Sequence, residues 1–406
     1  MHTNFNLPQF IKDHITYRPE SLFLPDIKQH EATLHEKIGG KRVLVIGGAG
    51  TIGSSYIRAI LNFKPGALYV VDTNENGLTE LTRDLRSRQG QYIPETYLPY
   101  PINFGSEVFY KLMDREGPFD IIANFAAHKH VRSEKDHYSI EAMIENNVFK
   151  AADFLDYLSK GNQPEHFFCV STDKAANPVN VMGASKKLME EVIMAYSEQI
   201  PITTARFANV AFSNGSLLDG YFQRLMKNQP LSCPSDVRRF FVSPEESGQI
   251  CMLACMLGNS SDIFFPKLEE DQMVNFKDIT EKFMSELGYK IEYSKTEDDA
   301  RAFAEDRDTR GVRYPVLFFP TNTSGEKLYE EFFTGNDKLD KDTYQSLGVI
   351  KNAVKKPIEI IQETIDSLKS ILNQENYNKA DIVSALSTHL PDFQHIETGK
   401  SLDQKM

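Results

Sequence analysis

Between residues 41 and 210 the chain repeats one rhythm: a short apolar run, a polar break, then a stretch with apolar residues at helical spacing. The apolar runs are RVLVI from Arg42, ALYVVD from Ala67, TYLPYPI from Thr96, FDIIANFAA from Phe119, Phe167–Val170, and ITTARF from Ile202. Most show no inside–outside alternation, which marks strands buried on both faces. Between them GGAGTIGSSYIRAIL, Ser139–Leu158 and Met182–Tyr196 carry the 3.6-residue period. Alternating strands and helices predict an α/β fold, a Rossmann doubly wound parallel sheet with right-handed crossovers.

After Asn209 the rhythm breaks into mixed helices and short strands with longer loops, which predicts a smaller mixed α/β substrate-binding lobe over the open side of the crevice. The expected organisation is an N-terminal extension over 1–38, a nucleotide-binding domain over 39–210, mainly the lobe over 211–350, and a C-terminal helical extension over 351–406. The first extension carries one helical segment, Asp26–Lys37, and the last carries amphipathic stretches at Pro357–Leu372 and Lys379–Leu390. Residues 296–312 are densely charged and read as a solvated helix or loop.

Charge narrows the function classes. The 406 residues hold 45 Lys plus Arg against 57 Asp plus Glu, a formal net charge of −12 without basic clusters. That balance argues against nucleic acid or an anionic membrane as partner. No apolar run reaches the ~20 residues needed to span a bilayer, and the first twenty residues lack a signal-peptide pattern. A cytoplasmic protein is expected. The four cysteines form no CxxC pair and have no histidine at ligand spacing, so they read as core thiols and no metal site is expected.

Chemistry enters at the strand ends. Directly after RVLVI, Gly47, Gly50 and Gly53 give the spacing GxxGxxG and open a helix. Glycine there lets a phosphate approach the backbone, and the helix N-terminus offers it free N–H groups and a positive dipole end. The second strand ends in Asp72, nineteen residues beyond Gly53, where an acidic side chain can hold a ribose 2′-hydroxyl but would repel a 2′-phosphate. The expected cofactor is therefore NAD rather than NADP. Its contacts are expected from Gly47, Ala49, Gly50, Thr51, Ile52 and Gly53 in the turn, and from Asp72 and Asn74 after the second strand. Ile102 and Asn103 after the third strand and Ala126 and Ala127 after the fourth complete them. The fifth strand delivers Ser171, Thr172, Asp173 and Lys174, and Lys186 follows one turn into the next helix. In open α/β sheets ligands bind beyond such ends, so these proton donors and acceptors converge on one crevice. Read alone, the same stretch is also consistent with a solvated surface loop. His128 and His130 titrate near neutrality but read as half-exposed residues beside the crevice and stay outside the expected site.

With these pieces in place the chain resembles the extended short-chain dehydrogenase/reductases, and within them the nucleotide-sugar 4,6-dehydratases of bacterial polysaccharide biosynthesis, the UDP-N-acetylglucosamine 4,6-dehydratase group. The resemblance rests on VLVIGGAGTIGS, NFAAHKHV, ENNV, STDKAANPVNVMGASK, ARFANVAFSNGS, RRFFVSPEE and SGEKLYEE, and spans roughly Lys41 to Phe333. It implies NAD as cofactor, a nucleotide sugar as substrate, and assembly as a homo-oligomer. Ala126, Ala127 and Lys129 would line cofactor and substrate, and Asn147 would brace the active-site strands beside the cofactor. Thr172 would bind the sugar, Asp173 and Lys174 would act as acid and base, and Lys186 would hold the nicotinamide ribose. Asn209 and Arg239 would face the substrate diphosphate and Glu326 its nucleoside end. Three departures stand out: Met182 replaces the superfamily's YxxxK tyrosine, Ala208 replaces a glycine, and Thr323-Ser324 replace the Arg-Pro before GEK. Arg238, beside Arg239, is expected to supply the missing charge.

The implied reaction gives a hydride from C4 to NAD, loses water across C5–C6 and takes the hydride back at C6. Without a tyrosine, Asp173 is the available acceptor for the C4 hydroxyl proton, since a thioether does not titrate. Lys174 would remove the C5 proton, which requires a depressed pKa; burial and nearby Lys186 are the expected causes. A 4-epimerase would need neither the C5 base nor the C6 acid. A combined dehydratase and 5-epimerase would differ only at C5, and an inactive NAD-binding assembly subunit would keep the cradle alone.

Overall fold

Six parallel strands carry the nucleotide-binding half: β1 (Arg42–Ile46), β2 (Ala67–Val71), β3 (Thr96–Tyr100), β4 (Ile121–Asn124), β5 (His166–Val170) and β6 (Ile202–Ala205). They lie in the order β3-β2-β1-β4-β5-β6 in a computed structural model that describes residues 5–306, 311–321 and 330–397. The order reverses between β1 and β4, whose registers pair Ile46 with Asn124. That switch point opens the crevice at the carboxyl ends of the strands. Strand burial explains the apolar runs. Leu44, Ile46, Ile122 and Phe167 face one core with the helix Val181–Ala195, while Val43, Val45, Ala123 and Phe168 face another with the helices Thr51–Leu61 and Pro244–Leu257.

The remaining strands are β7 (Asn209–Val210), β8 (Leu231–Pro234), β9 (Arg238–Arg239), β10 (Phe241–Val242), β11 (Ile263–Pro266), β12 (Val274–Asn275), β13 (Lys290–Ser294), β14 (Arg313–Phe319), β15 (Leu339–Asp340) and β16 (Leu347–Ile350). Three of them return to the large sheet: β11 pairs parallel with β6, and β16 and β15 close that edge antiparallel. The lobe itself is the parallel trio β13-β14-β8 with the short pairs β10·β7 and β12·β9.

Two expected helices are interrupted. Asp26–Lys37 divides into Leu24–Gln29 and Glu31–Ile38 at His30, whose φ −108° and ψ 15° leave the helical region, and the fully buried Asp26 carboxylate accepts the Gln345 and Ser346 amides at 2.7 and 2.8 Å. Ser139–Leu158 appears as His137–Ile144, a π-turn at Glu145–Phe149, and Lys150–Ser159. A π-turn re-aims a side chain within a helix, and here it sends Asn147 toward the crevice strands. The N-terminal extension is helical from Leu7 and buries Phe10, Ile11 and Ile15 in the lobe core, then Phe23, Leu34 and Ile38 against the sheet. The C-terminal helices Ile358–Leu372 and Lys379–His389 share a core with Leu188, Met189 and Val192 of the helix Val181–Ala195.

Candidate active site

The glycine turn closes between β1 and β4. Gly47 has φ +76°, and a Cβ there would fall 2.6 Å from the Ala126 nitrogen. A Cβ at Gly53 would fall 2.3 Å from the Gly47 carbonyl oxygen. These two glycines serve the fold's own packing. Gly50 differs: it is the N-cap of Thr51–Leu61, no side chain caps that helix, and a Cβ would meet only the Gly47 oxygen at 3.5 Å. The first-turn N–H groups therefore face a space that a phosphate fits. Asp72 is held over the turn, accepting the Ala49 and Asn74 amides at 2.9 Å each. Asn74 caps the next helix through the Gly77 amide, and Asn103 accepts Lys150 Nζ at 3.1 Å. The Thr51 hydroxyl accepts the Asn214 amide at 2.9 Å and ties the turn to the lobe. The residues present fit a dinucleotide.

Beyond β5 a polar chain runs through three consecutive residues. The Thr172 hydroxyl donates to Asp173 Oδ1 at 2.7 Å, and Lys174 Nζ donates to Asp173 Oδ1 and Oδ2 at 3.0 and 3.2 Å. Asp173 is buried while Lys174 is partly open to the cavity. Burial alone would pull the Lys174 pKa down, but the Asp173 and Glu330 carboxylates more than reverse it. This corrects the expectation of a depressed pKa: Lys174 is a stabilised ammonium in the free site, and its surroundings are set by carboxylates, not by Lys186. Lys186 is the depressed amine. It is buried, which lowers its pKa against the partial support of Cys169 and Glu190, and its Nζ donates to the Val170 carbonyl at 2.6 Å. Met182 is buried one turn before it.

Behind this row sits an ion pair that the apolar pattern gave no hint of. Arg206 on the β6 side donates to Glu190 at 2.8 and 2.6 Å, the Ser171 hydroxyl donates to the same carboxylate at 2.6 Å, and all three are buried. Burial raises the Glu190 pKa and Arg206 overcomes it, leaving it lowered. The end of β5 is thereby fixed to β6 and to the helix that carries Lys186.

Asn147 is also a fixing group, the bracing place beside the cofactor that the resemblance implies for it. Its amide accepts the His128 N–H at 2.8 Å and donates to the His128 carbonyl at 2.9 Å and Ser185 Oγ at 3.1 Å. At 2% exposure its hydrogen-bonding capacity is spent inside the protein.

The cavity over these groups holds about 760 Å³ and is lined by Lys129, Asp173, Lys174, Asn209, Arg239 and Glu330 among others. Lys129 donates to the Asn214 carbonyl at 3.1 Å; burial lowers its pKa and Asp219 partly restores it. Arg239 and Arg238 divide, because successive strand residues point to opposite faces. Arg239 is buried on the cavity wall with Nε 3.8 Å from Glu330. Arg238 opens into a separate groove of about 370 Å³ with Tyr17, Asp271 and Asp278. Arg238 therefore does not supply the missing charge on the substrate side. Glu326 lies outside the described residues.

Glu330 was missed. It accepts from Asn209 Nδ2 and from the Phe240 amide (3.0 Å), and burial and Asp173 push its pKa up to about 7 against Lys174 and Arg239. The only signal in the chain was its membership of SGEKLYEE, in which Glu326, Glu330 and Glu331 compete without any periodicity to separate them.

A family model described as polysaccharide biosynthesis protein matches residues 43–352. The chain belongs to that family. It is similar to the capsular polysaccharide biosynthesis protein CapD of Staphylococcus aureus, 25% identical over 340 residues, 82% of this chain and 52% of that one. It is also similar to the UDP-N-acetylglucosamine 4,6-dehydratase (inverting) of Campylobacter jejuni strain 81-176, 27% identical over 247 residues, 58% of this chain and 70% of that one. The chain thus spans about half the length of CapD and of the probable polysaccharide biosynthesis protein EpsC of Bacillus subtilis. Among solved structures, Pen from Bacillus thuringiensis shares the fold with a TM-score of 0.62 at 19% identity, covering 79% of this chain and 90% of that one. The loop before the helix Val181–Ala195 has a further support. The Gln394 and Ile396 amides donate to the Pro178 and Val179 carbonyls at 3.3 and 3.0 Å, and His395 bonds Glu134, whose other oxygen accepts the Val181 amide at 2.9 Å.

Proposed function

We propose that the chain is an NAD-dependent 4,6-dehydratase of a nucleotide-activated N-acetylhexosamine, UDP-GlcNAc first and GDP-GlcNAc second, making a 4-keto-6-deoxy sugar for a surface glycan. The observation that carries this reading is the Thr172–Asp173–Lys174 hydrogen-bond chain in a cavity whose wall carries Arg239. An epimerase needs no such acid–base pair beside the sugar.

Bound at the uncapped turn and Asp72, NAD supplies reversible hydride exchange with the sugar. The protein supplies proton transfer and placement. Thr172 can pass the C4 hydroxyl proton to Asp173 along their 2.7 Å bond. Asp173 can then give that proton to the departing C6 oxygen, and Lys174, charged in the free site, can take the C5 proton once its own proton has passed to solvent. Arg239 can clamp a diphosphate bidentately, and Lys186 is placed to hold a ribose hydroxyl. The reading includes a homo-oligomer in the cytoplasm; among the described residues no helix is long and apolar enough to cross a membrane.

Incubation with UDP-GlcNAc and with GDP-GlcNAc, followed by NMR of the sugar, tests the reading. A product with a C6 methyl group and a C4 ketone supports it. A product that keeps its C6 hydroxyl with C4 inverted establishes the epimerase, C5 inversion establishes the combined enzyme, and no turnover of either sugar leaves the assembly subunit.

A further inference from the structure

The mechanism leaves one buried titratable group of the cavity unused. Glu330 joins three segments distant in sequence: it accepts from Asn209 on β7 and from the Phe240 amide after β9, and its Oε1 is the ion-pair partner of Arg239. The guanidinium expected to receive the substrate diphosphate thus already has a carboxylate oxygen 3.8 Å from its Nε, while its Nη1 donates to the Arg238 carbonyl at 2.9 Å.

Charge counting sharpens the conflict. Among the described residues, the ionisable cavity lining is Lys129, Lys174, Arg224 and Arg239 against Asp173, Asp219 and Glu330, with His130 at the rim. Four cations face three carboxylates. A nucleotide sugar carries two negative charges on a diphosphate diester that does not titrate near neutrality. The cavity balances that ligand only when one of the three carboxylates is neutral. Asp173 is held by Lys174, and Asp219 accepts the Gly215 amide on the helix Leu217–Met226. Glu330 is left as the group whose counter-charge the ligand takes away.

We propose that Glu330 is the proton-uptake site of substrate binding: it holds Arg239 in the free protein and takes a proton from solvent as the diphosphate displaces it. This rests on the reading that the cavity binds a nucleotide sugar. The burial and the Asp173 charge that bring Glu330 to about 7 mean that the protonated form is accessible at neutral pH. An anion placed beside it raises that value further. The sign follows: binding takes up protons, so affinity falls as pH rises through about 7, approaching tenfold per pH unit.

Titration calorimetry with the β-methyl esters of UDP and GDP tests this, because each is a diphosphate diester with no sugar to react. Repeating the titration at about pH 8 in buffers of different ionisation enthalpy counts protons. Uptake of about one proton per ligand is expected for the parent. His130→Gln should keep that uptake and Glu330→Gln should abolish it while still binding. Binding without uptake in the parent, or uptake unchanged in Glu330→Gln, overturns the proposal and leaves the nucleotide-sugar reading standing. Failure of both esters to bind the parent counts against that reading itself. Should Glu330→Gln melt before the titration temperature, the proton count of His130→Gln together with the pH dependence of the parent's affinity decides: flat affinity between about pH 6 and 8 overturns the proposal.

Discussion

The glycine turn and the cavity wall are both proposed to hold phosphate, and they are built differently. The turn takes its parts from one continuous stretch, Gly47 to Gly53, and from Asp72 at the end of the neighbouring strand. The wall draws Lys129, Asp173, Asn209, Arg239 and Glu330 from five separate places in the chain. The turn uses backbone amides and space, which truncating a side chain cannot remove and only an added Cβ can fill. The wall uses side-chain charges in a balance where each group sets its neighbour's protonation. A local device tolerates changes around it, whereas a distributed one fails where any contributor is lost.

The largest effect should come where the wall meets the chemistry. Asp173→Asn removes the proton acceptor between Thr172 and Lys174 and should cut kcat about 10²–10⁴-fold, measured by NMR of the sugar product. Lys174→Met should fall as far in product yet separate the roles. With Lys174 as the C5 base, the variant still forms the C4 ketone but no longer exchanges C5 hydrogen in deuterated water. Exchange at the parent rate would take that role from Lys174.

Within the turn the sensitive positions are the packed glycines. Gly53→Ala puts a Cβ 2.3 Å from a backbone oxygen that cannot swing away. A destabilisation of about 1–3 kcal/mol is expected from overpacking of this kind, seen in thermal unfolding, with at least tenfold weaker NAD binding by titration. Gly50→Ala should melt with the parent and lose NAD affinity alone. Equal losses in both variants would mean that the helix start is not a ligand surface.

Arg239→Ala should raise KM about 10–100-fold, the worth of hydrogen bonds to a charged group, while leaving kcat within about tenfold as uniform binding energy is lost. A collapse of kcat at unchanged KM would move Arg239 from the diphosphate to the reacting centre. The contrast between turn and wall also explains what could be read from the chain. The strands, the turn, Asp72 and the row Thr172–Lys174 were legible because each follows from apolar runs and short spacings. Glu330 and the Arg206–Glu190 pair were not, because their partners lie 121 and 16 residues away and only the fold brings them together. The Lys174 pKa was misjudged for a related reason: Asp173 stands beside it in the chain, but the hydrogen bonds between them and the charge of Glu330 appear only in the fold. Asn147 was legible only through the resemblance, because a π-turn, which no periodicity announces, turns it inward.

Arg238→Ala should have the smallest effect, and its smallness is informative. The two arginines are adjacent, equally charged, and equivalent by any count made along the chain. The pleat of β9 separates them: Arg239 faces Glu330, whereas Arg238 reaches the Met273 carbonyl at 3.5 Å and a groove beside Asp271 and Asp278. An exposed arginine on that far side adds only a screened, long-range attraction to a dianionic ligand. KM should therefore change by less than about twofold at physiological ionic strength, and lowering the salt should enlarge the difference. A rise in KM as large as that of Arg239→Ala, insensitive to salt, would mean that the substrate reaches around the strand. The charge count of the cavity would then have to include a fifth cation.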